Sequence, residues 1–458
     1  MLLPMAVFAA DSLPASVKNA LKHRGVPEDS ISVYVEDLSS GDAVVSWNAE
    51  TARNPASVVK LVTTLVALDL LGPAYRWQTE FYALGEIDEG RLDGDLLIKG
   101  YGDPFLVTER MWQMLRQLRL TGLDSIGGDL LIDDSFFAVA HHDPAAFDRE
   151  PLRAYNVAPN ALLTNFKVVR YIFEPDGNGV RIGTDPELEN LEISNRLQLA
   201  RGPCRGYQRG ITIIPNDDVS EVTFTGKFPN GCAIYAMDRA ALEHNAFTYG
   251  LFRTLWAQSG GELEGTWRIA TAPADTEPLM VFESSPLSDV ITKINKHSNN
   301  VMARQLLFTL AAERFGAPGT EENGRKVISD WLAARGLDVE AFHVENGAGL
   351  SRAARMTARH LGDMLSFAYR QPYMPEYVSS LSLSGTDGTL SRRFRRNGLK
   401  GKAHIKTGSL DHVSAIAGYF QAKSGRRFVV VSLHNYTDIH RGYGEEAQQA
   451  LLEWLDHQ

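Results

Sequence analysis

Asn54-Pro55-Ala56-Ser57-Val58-Val59-Lys60 runs without a break into Leu61-Val62-Thr63-Thr64-Leu65-Val66-Ala67-Leu68-Asp69-Leu70-Leu71. The part from Leu61 to Leu71 is so apolar that the helix it forms must be buried, and Pro55 suits a helix's first turn. Ser57 and Lys60, three residues apart, then share one helix face. Ser57 falls at the end where backbone N–H groups are unpaired, and free donors there can hold an oxyanion. A lysine in apolar surroundings is pushed toward its neutral form, which brings its pKa toward the working range of a general base. The pair reads as a nucleophile with its own base. Alone, the same four residues also describe an N-cap serine and a solvated first-turn lysine.

Two further matches give the pair a context. Ser298-Asn299-Asn300 and Lys406-Thr407-Gly408 follow Ser57 in the chain order used by active-site-serine penicilloyl enzymes. Each is weak by itself: Ser46-Trp47-Asn48 matches the same Ser-x-Asn pattern inside a segment that reads as a strand. Longer segments add weight, namely Lys99-Gly100-Tyr101-Gly102-Asp103-Pro104, Gly128-Asp129-Leu130-Leu131-Ile132-Asp133-Asp134-Ser135, Glu345-Asn346-Gly347-Ala348-Gly349-Leu350-Ser351-Arg352 and Gly385-Thr386-Asp387-Gly388-Thr389-Leu390. On these residues the chain resembles the low-molecular-mass class C penicillin-binding proteins, the D-alanyl-D-alanine carboxypeptidase/endopeptidase family, along nearly its whole length. It departs at Tyr101, where a small residue is more usual, and at Ala348, where Ser is common.

The resemblance implies an α+β fold: a serine β-lactamase/transpeptidase-like catalytic domain, with a five-stranded antiparallel sheet flanked by helices plus a helical cluster, and a large mostly-β insertion of two nested domains. The boundaries expected are 11–72 and 276–458 for the catalytic domain, 73–99 and 164–275 for inserted domain II, and 100–163 for nested domain III. Local patterns agree with this plan. Ile31 to Glu36 and Ala43 to Asn48 read as a hairpin around Ser39-Ser40-Gly41-Asp42, and short alternating strands without a dominant long amphipathic helix fill Trp77 to about Ala270. Within that stretch Glu109 to Leu120 reads as helical. Helical periodicity returns over Leu287 to Arg314 and Glu322 to Arg335, followed by a hairpin of Ser414 to Phe420 and Arg427 to Leu433 and a final helix.

The resemblance also implies roles. Ser57 is the nucleophile, Lys60 the acylation base, and Ser298 the relay of a proton to the leaving amine. Asn300 holds the substrate's amide through its donor and acceptor, and Lys406 attracts the free carboxylate of a carboxypeptidase substrate with help from Thr407 and Ser409. Gly408 leaves room for substrate backbone beside the strand Ala403 to Ser409, and the Ser409 and Ser57 N–H groups form the oxyanion hole. Arg352 is expected to meet an acidic group on the stem peptide, and Tyr155, from the insertion, to face the same peptide. Asp387 and Gly388 are equally well read as turn formers, and Arg352 as a surface ion pair.

Composition bounds the rest. A chain of 458 residues with 44% hydrophobic content buries two or three cores. Its net charge of −10 argues against nucleic acid or an anionic membrane surface as main partner, because both attract basic patches. The partners expected are peptidoglycan stem peptides and, as covalent inhibitors, β-lactam antibiotics; homodimerisation is left open. No cofactor and no metal are expected, since His141-His142-Asp143 and Glu345 read as a polar cluster and a turn flank, and no phosphate-binding glycine loop is evident. The two cysteines, Cys204 and Cys232, point to one disulfide in an exported chain, two buried thiols being the alternative. Met1 to Ala10 read as the tail of a signal peptide cut near Ala9 or Ala10, which places the protein in the periplasm or cell envelope. A class C β-lactamase is disfavoured because no Tyr-x-Asn occurs in the chain. A penicillin-sensing or wall-binding module, the other alternative, usually carries a membrane span, and no stretch here approaches one.

Overall fold

The computed structural model describes residues 11–177, 179–205, 210–216, 220–337, 339–396 and 398–458. Residues 1–10, read above as a signal-peptide remnant, lie outside the described residues. Two compact units emerge, one formed by the chain up to residue 76 together with 285–458, the other by 77–284.

In the first unit a six-stranded antiparallel sheet has the spatial order Ser382–Leu383, Ala403–Leu410, Val413–Gln421, Arg427–Asn435, Ile31–Asp37, Ala43–Trp47. The N-terminal hairpin is joined to the C-terminal one by a ladder running from Ile31 opposite His434 to Asp37 opposite Phe428. The central strands are buried on both faces, so they read as continuous apolar runs rather than alternating ones. One face is covered by helices Ala15–His23 and Tyr443–Leu455, whose Val17, Leu21, Leu451 and Leu455 pack with Val33, Ile416 and Val430. Five of these strands match expectation. The sixth, Ser382–Leu383, pairs over two residues with His404 and Ile405, too short a span for any alternation to announce it.

A 3₁₀ turn, Ala56–Val58, opens the helix Val59–Leu71. Every residue from Val59 to Leu68 is buried, so the stretch has no solvent-facing stripe, and its polar Lys60, Thr63 and Thr64 bond within the protein. The stretch 287–314, read as helical, is two helices, Leu287–His297 and Asn300–Phe315. They are separated by Ser298 in the left-handed region (φ 55°, ψ 38°), and Asn299 caps the second by accepting the Met302 N–H at 3.0 Å. Periodicity is blind to a break of this size, because the second helix is buried almost all round and shows no face whose phase could mark the break.

The second unit holds a seven-stranded sheet and two three-stranded ones. Leu130–Asp133 lies between Arg91–Gly100 and Trp267–Ile269 and pairs with both, so the large sheet runs across the expected boundary at residue 100. Cys204 and Cys232 are joined in a disulfide with Cα atoms 4.6 Å apart. The helix Thr108–Leu120 falls where it was expected. The helix His244–Gln258 was not foreseen: it is buried on most sides, with Phe247, Tyr249, Phe252 and Trp256 turned into the core, and so lacks the one-sided pattern that betrays a surface helix.

Candidate active site

Three backbone devices fix the serine. Asn54 Oδ1 accepts the Ala56 N–H at 2.8 Å, and Asn435 clamps the Asn54 backbone, its Oδ1 accepting the N–H at 2.7 Å and its Nδ2 donating to the carbonyl at 3.0 Å. Ala56 is thereby held at φ 48°, a conformation that costs a non-glycine residue ~1–2 kcal/mol. The strand carrying Lys406 then passes directly against this turn: a Cβ on Gly408 would lie 2.5 Å from the Pro55 carbonyl oxygen and 3.1 Å from the Ser57 nitrogen. From the other side Gly349, at φ 77°, approaches so closely that a Cβ there would be 2.0 Å from the Ala56 oxygen. Gly408→Val is therefore expected to force the strand off Ser57 and to slow acylation by benzylpenicillin roughly 100-fold or more, read as the second-order rate of covalent mass gain, with the melting temperature as a check on folding.

Lys60 is fully buried at 0% exposure. Its Nζ lies 3.0 Å from Ser57 Oγ and 2.6 Å from Asn300 Oδ1, and it also donates to the Ala348 carbonyl. That carbonyl is aimed by Asn346, whose Oδ1 accepts the N–H groups of Ala348 (3.1 Å) and Gly349 (3.2 Å), while Thr63 Oγ1 donates to the Gly347 carbonyl at 2.7 Å. Burial, then the charges of Lys406 and Arg304, hold the Lys60 amine well below the ordinary lysine range. A neutral amine has two N–H donors and one lone pair. With Asn300 and Ala348 accepting the two donors, the lone pair is left for the Ser57 hydroxyl.

Lys406 is likewise at 0% exposure, and burial lowers its pKa to about 7. Its Nζ donates to Ser298 Oγ at 2.9 Å and to the Thr407 carbonyl at 2.7 Å. The left-handed turn at Ser298 is what swings that hydroxyl to Lys406. Thr407 Oγ1 donates to Thr389 Oγ1 at 2.8 Å. The Thr389 loop is in turn tied to the Ser298 helix by Lys296, which donates to Asp387 Oδ2 at 2.5 Å, while Asp387 Oδ1 accepts the Leu383 N–H at 2.8 Å.

The structure thus brings Ser57, Lys60, Ser298, Asn300, Lys406, Thr407 and Gly408 into one constellation, with Ser409 exposed at the next strand position, opposite Ser414. One expectation is narrowed: Asn300 was to present both donor and acceptor to substrate, but its Oδ1 is taken by Lys60, which leaves Nδ2 as the free half. Arg352 is exposed and its carbonyl accepts from Asn54 Nδ2 at 3.4 Å. Tyr155 belongs to the second unit, where its hydroxyl donates to Asp148 Oδ2 at 2.6 Å. Sequence reasoning quoted the segment holding Asn346 and Ala348 without assigning either a role, and missed Asn435, whose only signal was its place at a strand end.

Among the described residues His412, Asp438 and His440 come together with ligand-type atoms within 4.8 Å of one another. Both rings spend Nδ1 on backbone N–H groups, His412 accepting from Asp438 and His440 from His412, each at 3.0 Å. The remaining Nε2 atoms then carry the protons, an arrangement unsuited to a metal ion. No helix among the described residues is long and apolar enough to cross a membrane.

A family model described as the D-Ala-D-Ala carboxypeptidase 3 (S13) family matches residues 13–458. A D-alanyl-D-alanine carboxypeptidase of Actinomadura sp. (strain R39) is 28% identical over 413 residues, 86% of this chain and 75% of that protein. The crystal structure of penicillin binding protein 4 (dacB) from Haemophilus influenzae superposes with a TM-score of 0.81 at 21% identity, covering 96% of this chain and 99% of that one. The same protein complexed with a novel β-lactam gives a TM-score of 0.76 at 20% identity over 97% and 99%. At these identities the two crystal structures establish the fold, a penicillin-binding-protein type of mixed helices and antiparallel sheet.

Proposed function

We infer that this chain, which belongs to the D-Ala-D-Ala carboxypeptidase 3 (S13) family, is a serine D,D-peptidase of peptidoglycan that works through an acyl-enzyme on Ser57. The observation that carries the assignment is the environment of Lys60: a fully buried amine with acceptors for both its N–H groups and a serine hydroxyl 3.0 Å away.

Ser57 Oγ attacks the carbonyl carbon of the penultimate D-alanine as its proton passes to Lys60 Nζ. The oxyanion that forms faces the N–H groups of Ser57 and Ser409. Collapse expels the terminal D-alanine, whose amine receives the proton through Lys60 and Ser298. Water then cleaves the ester, its proton taken by the same base, and Ser57 is restored. Asn300 Nδ2 donates to a carbonyl of the substrate. Lys406, with the Thr407 and Ser409 hydroxyls, receives the terminal carboxylate, a charge-assisted contact that favours substrates ending in a free D-alanine. A D-centred cross-link presents the same scissile geometry, so endopeptidase action belongs to the same site. A β-lactam carries a strained amide and a carboxylate in matching positions and acylates Ser57 as an inhibitor. Substrate of this kind places the protein in the cell envelope, the periplasm in a double-membraned cell, with Arg352 as a contact to the stem peptide.

The test is to incubate the protein with a pentapeptide monomer and a cross-linked muropeptide dimer, with and without benzylpenicillin, and to follow free D-alanine and dimer by mass spectrometry. Penicillin-sensitive loss of either bond is the expected result, and the ratio of the two rates assigns the dominant activity. Covalent labelling by penicillin with no turnover of either substrate would overturn the reading in favour of a sensor.

A further inference from the structure

Within the second unit, a cavity of about 520 Å³ opens between the segment from Asp134 to Lys167 and the start of the helix His244–Gln258. That volume lies in the range of small-molecule sites, and apolar residues such as Val157, Pro144 and Pro151 line much of it. Its polar members are what set it apart. Lys167 ends a run of three non-glycine residues in the left-handed region, Asn165 at φ 43°, Phe166 at φ 55° and Lys167 at φ 56°. The turn is held by Lys167 N–H donating to the Thr164 carbonyl at 2.8 Å and by Asn165 Nδ2 donating to the Val168 carbonyl at 2.9 Å. Its result is a lysine amine on the cavity wall that forms no ion pair or hydrogen bond among the described residues; burial lowers its pKa from the ordinary lysine value, and the nearby Glu243 charge opposes that shift.

His244, also on the wall, keeps its Nδ1 buried without a hydrogen-bond partner. Burial, then Lys167 and His142, lower its pKa to about 3, so the ring is neutral and has one N–H to offer. His142 is fixed by its Nε2 lying 2.7 Å from the Asn156 carbonyl oxygen. Asp134, the other acidic residue on the wall, is satisfied by Asn160 Nδ2 at 2.8 Å and Asn245 Nδ2 at 3.1 Å. A single unpaired cation, a neutral ring donor and two carboxylates on the rim suit a monoanion and oppose a dianion such as phosphate.

We propose that this cavity is a second ligand site, distinct from the serine, which takes one carboxylate of a small amide-bearing molecule, with Lys167 as its counter-charge and His244 as a neutral hydrogen-bond donor. Two sources offer that chemistry: the free C-terminus of a short peptide, and the lactyl carboxylate of an amino sugar. The choice of wall-type probes rests on the function inferred above; the site itself does not.

The test is isothermal titration of the full-length protein after its serine has been blocked with benzylpenicillin. N-acetyl-alanyl-alanine and N-acetylmuramic acid serve as probes, with the peptide amide and N-acetylglucosamine as their carboxylate-free counterparts. Saturable binding of at least one acid is expected, and which acid binds identifies the source. Lys167→Met should weaken it roughly 10- to 100-fold, the range for losing a charged hydrogen bond, while Lys167→Arg stays within about threefold. Unchanged melting temperature and penicillin labelling of each variant show that the fold is intact. Failure of both acids to saturate, equal binding of the neutral counterparts, or unaltered affinity in Lys167→Met would overturn the proposal. Should penicillin fail to label the wild-type chain, the function inferred above falls, and the titration of the unblocked protein still decides this one.

Discussion

Lys60→Met removes the base while nearly keeping the volume of the side chain, and acylation of Ser57 by benzylpenicillin is expected to fall by about 10²–10⁴, the usual worth of a positioned general base. Ser57→Ala abolishes labelling outright. Rapid-mix mass spectrometry measures both. The methionine variant should still fold, at a cost of about 1–3 kcal/mol for leaving Asn300 Oδ1 and the Ala348 carbonyl without their donor. Labelling of Lys60→Met at the wild-type rate would assign the base elsewhere, with Ser298 next in line.

The pH profile is the second result with a large expected effect. Lys60 accepts the serine proton only when neutral, so the rate rises as pH climbs through its depressed pKa. Lys406 holds a carboxylate only when charged, so the rate falls as pH climbs through its value of about 7. The two amines influence each other, and the bell-shaped profile reports the pair rather than either lysine. For a substrate ending in free D-alanine, kcat/KM should therefore decline on the alkaline side. A substrate ending in an amide should lose that decline, since it has no carboxylate to be held. Lys406→Ala should cost the acid about 10- to 100-fold more than the amide, measured as the ratio of their kcat/KM values. Parallel alkaline limbs for the two substrates would show that Lys406 does not read the carboxylate.

Much of this site was legible because Ser57 and Lys60, the proposed nucleophile and base, lie within one helix turn. Ser57 and Lys60 need no knowledge of tertiary structure to be paired, and Lys406 stands out by its Lys-Thr-Gly run. What escaped was whatever depends on backbone atoms or on a break shorter than the helical period. The Ala348 carbonyl is a ligand of Lys60 through its oxygen, which any residue type could supply, so no side chain marks it. The turn at Ser298 and Asn299 spans two residues between two helices, and the pair strand Ser382–Leu383 is likewise two residues long. The helix His244–Gln258 was hidden for the opposite reason, being too thoroughly buried to show a face.

The pairing of Ile31–Asp37 with Arg427–Asn435 has a consequence for how the protein is made. A ribosome delivers the first hairpin and the serine helix long before the strand that completes their sheet, with the whole of residues 77–284 emerging in between. The later segment can reach its compact state while the earlier one waits as an open edge, exposed to mispairing with other nascent chains. Contacts so distant along the chain also make the final closure slow. The Ser57 turn is therefore completed last although it is synthesised among the first, and acylation by benzylpenicillin is expected only once nearly all of the chain has been released.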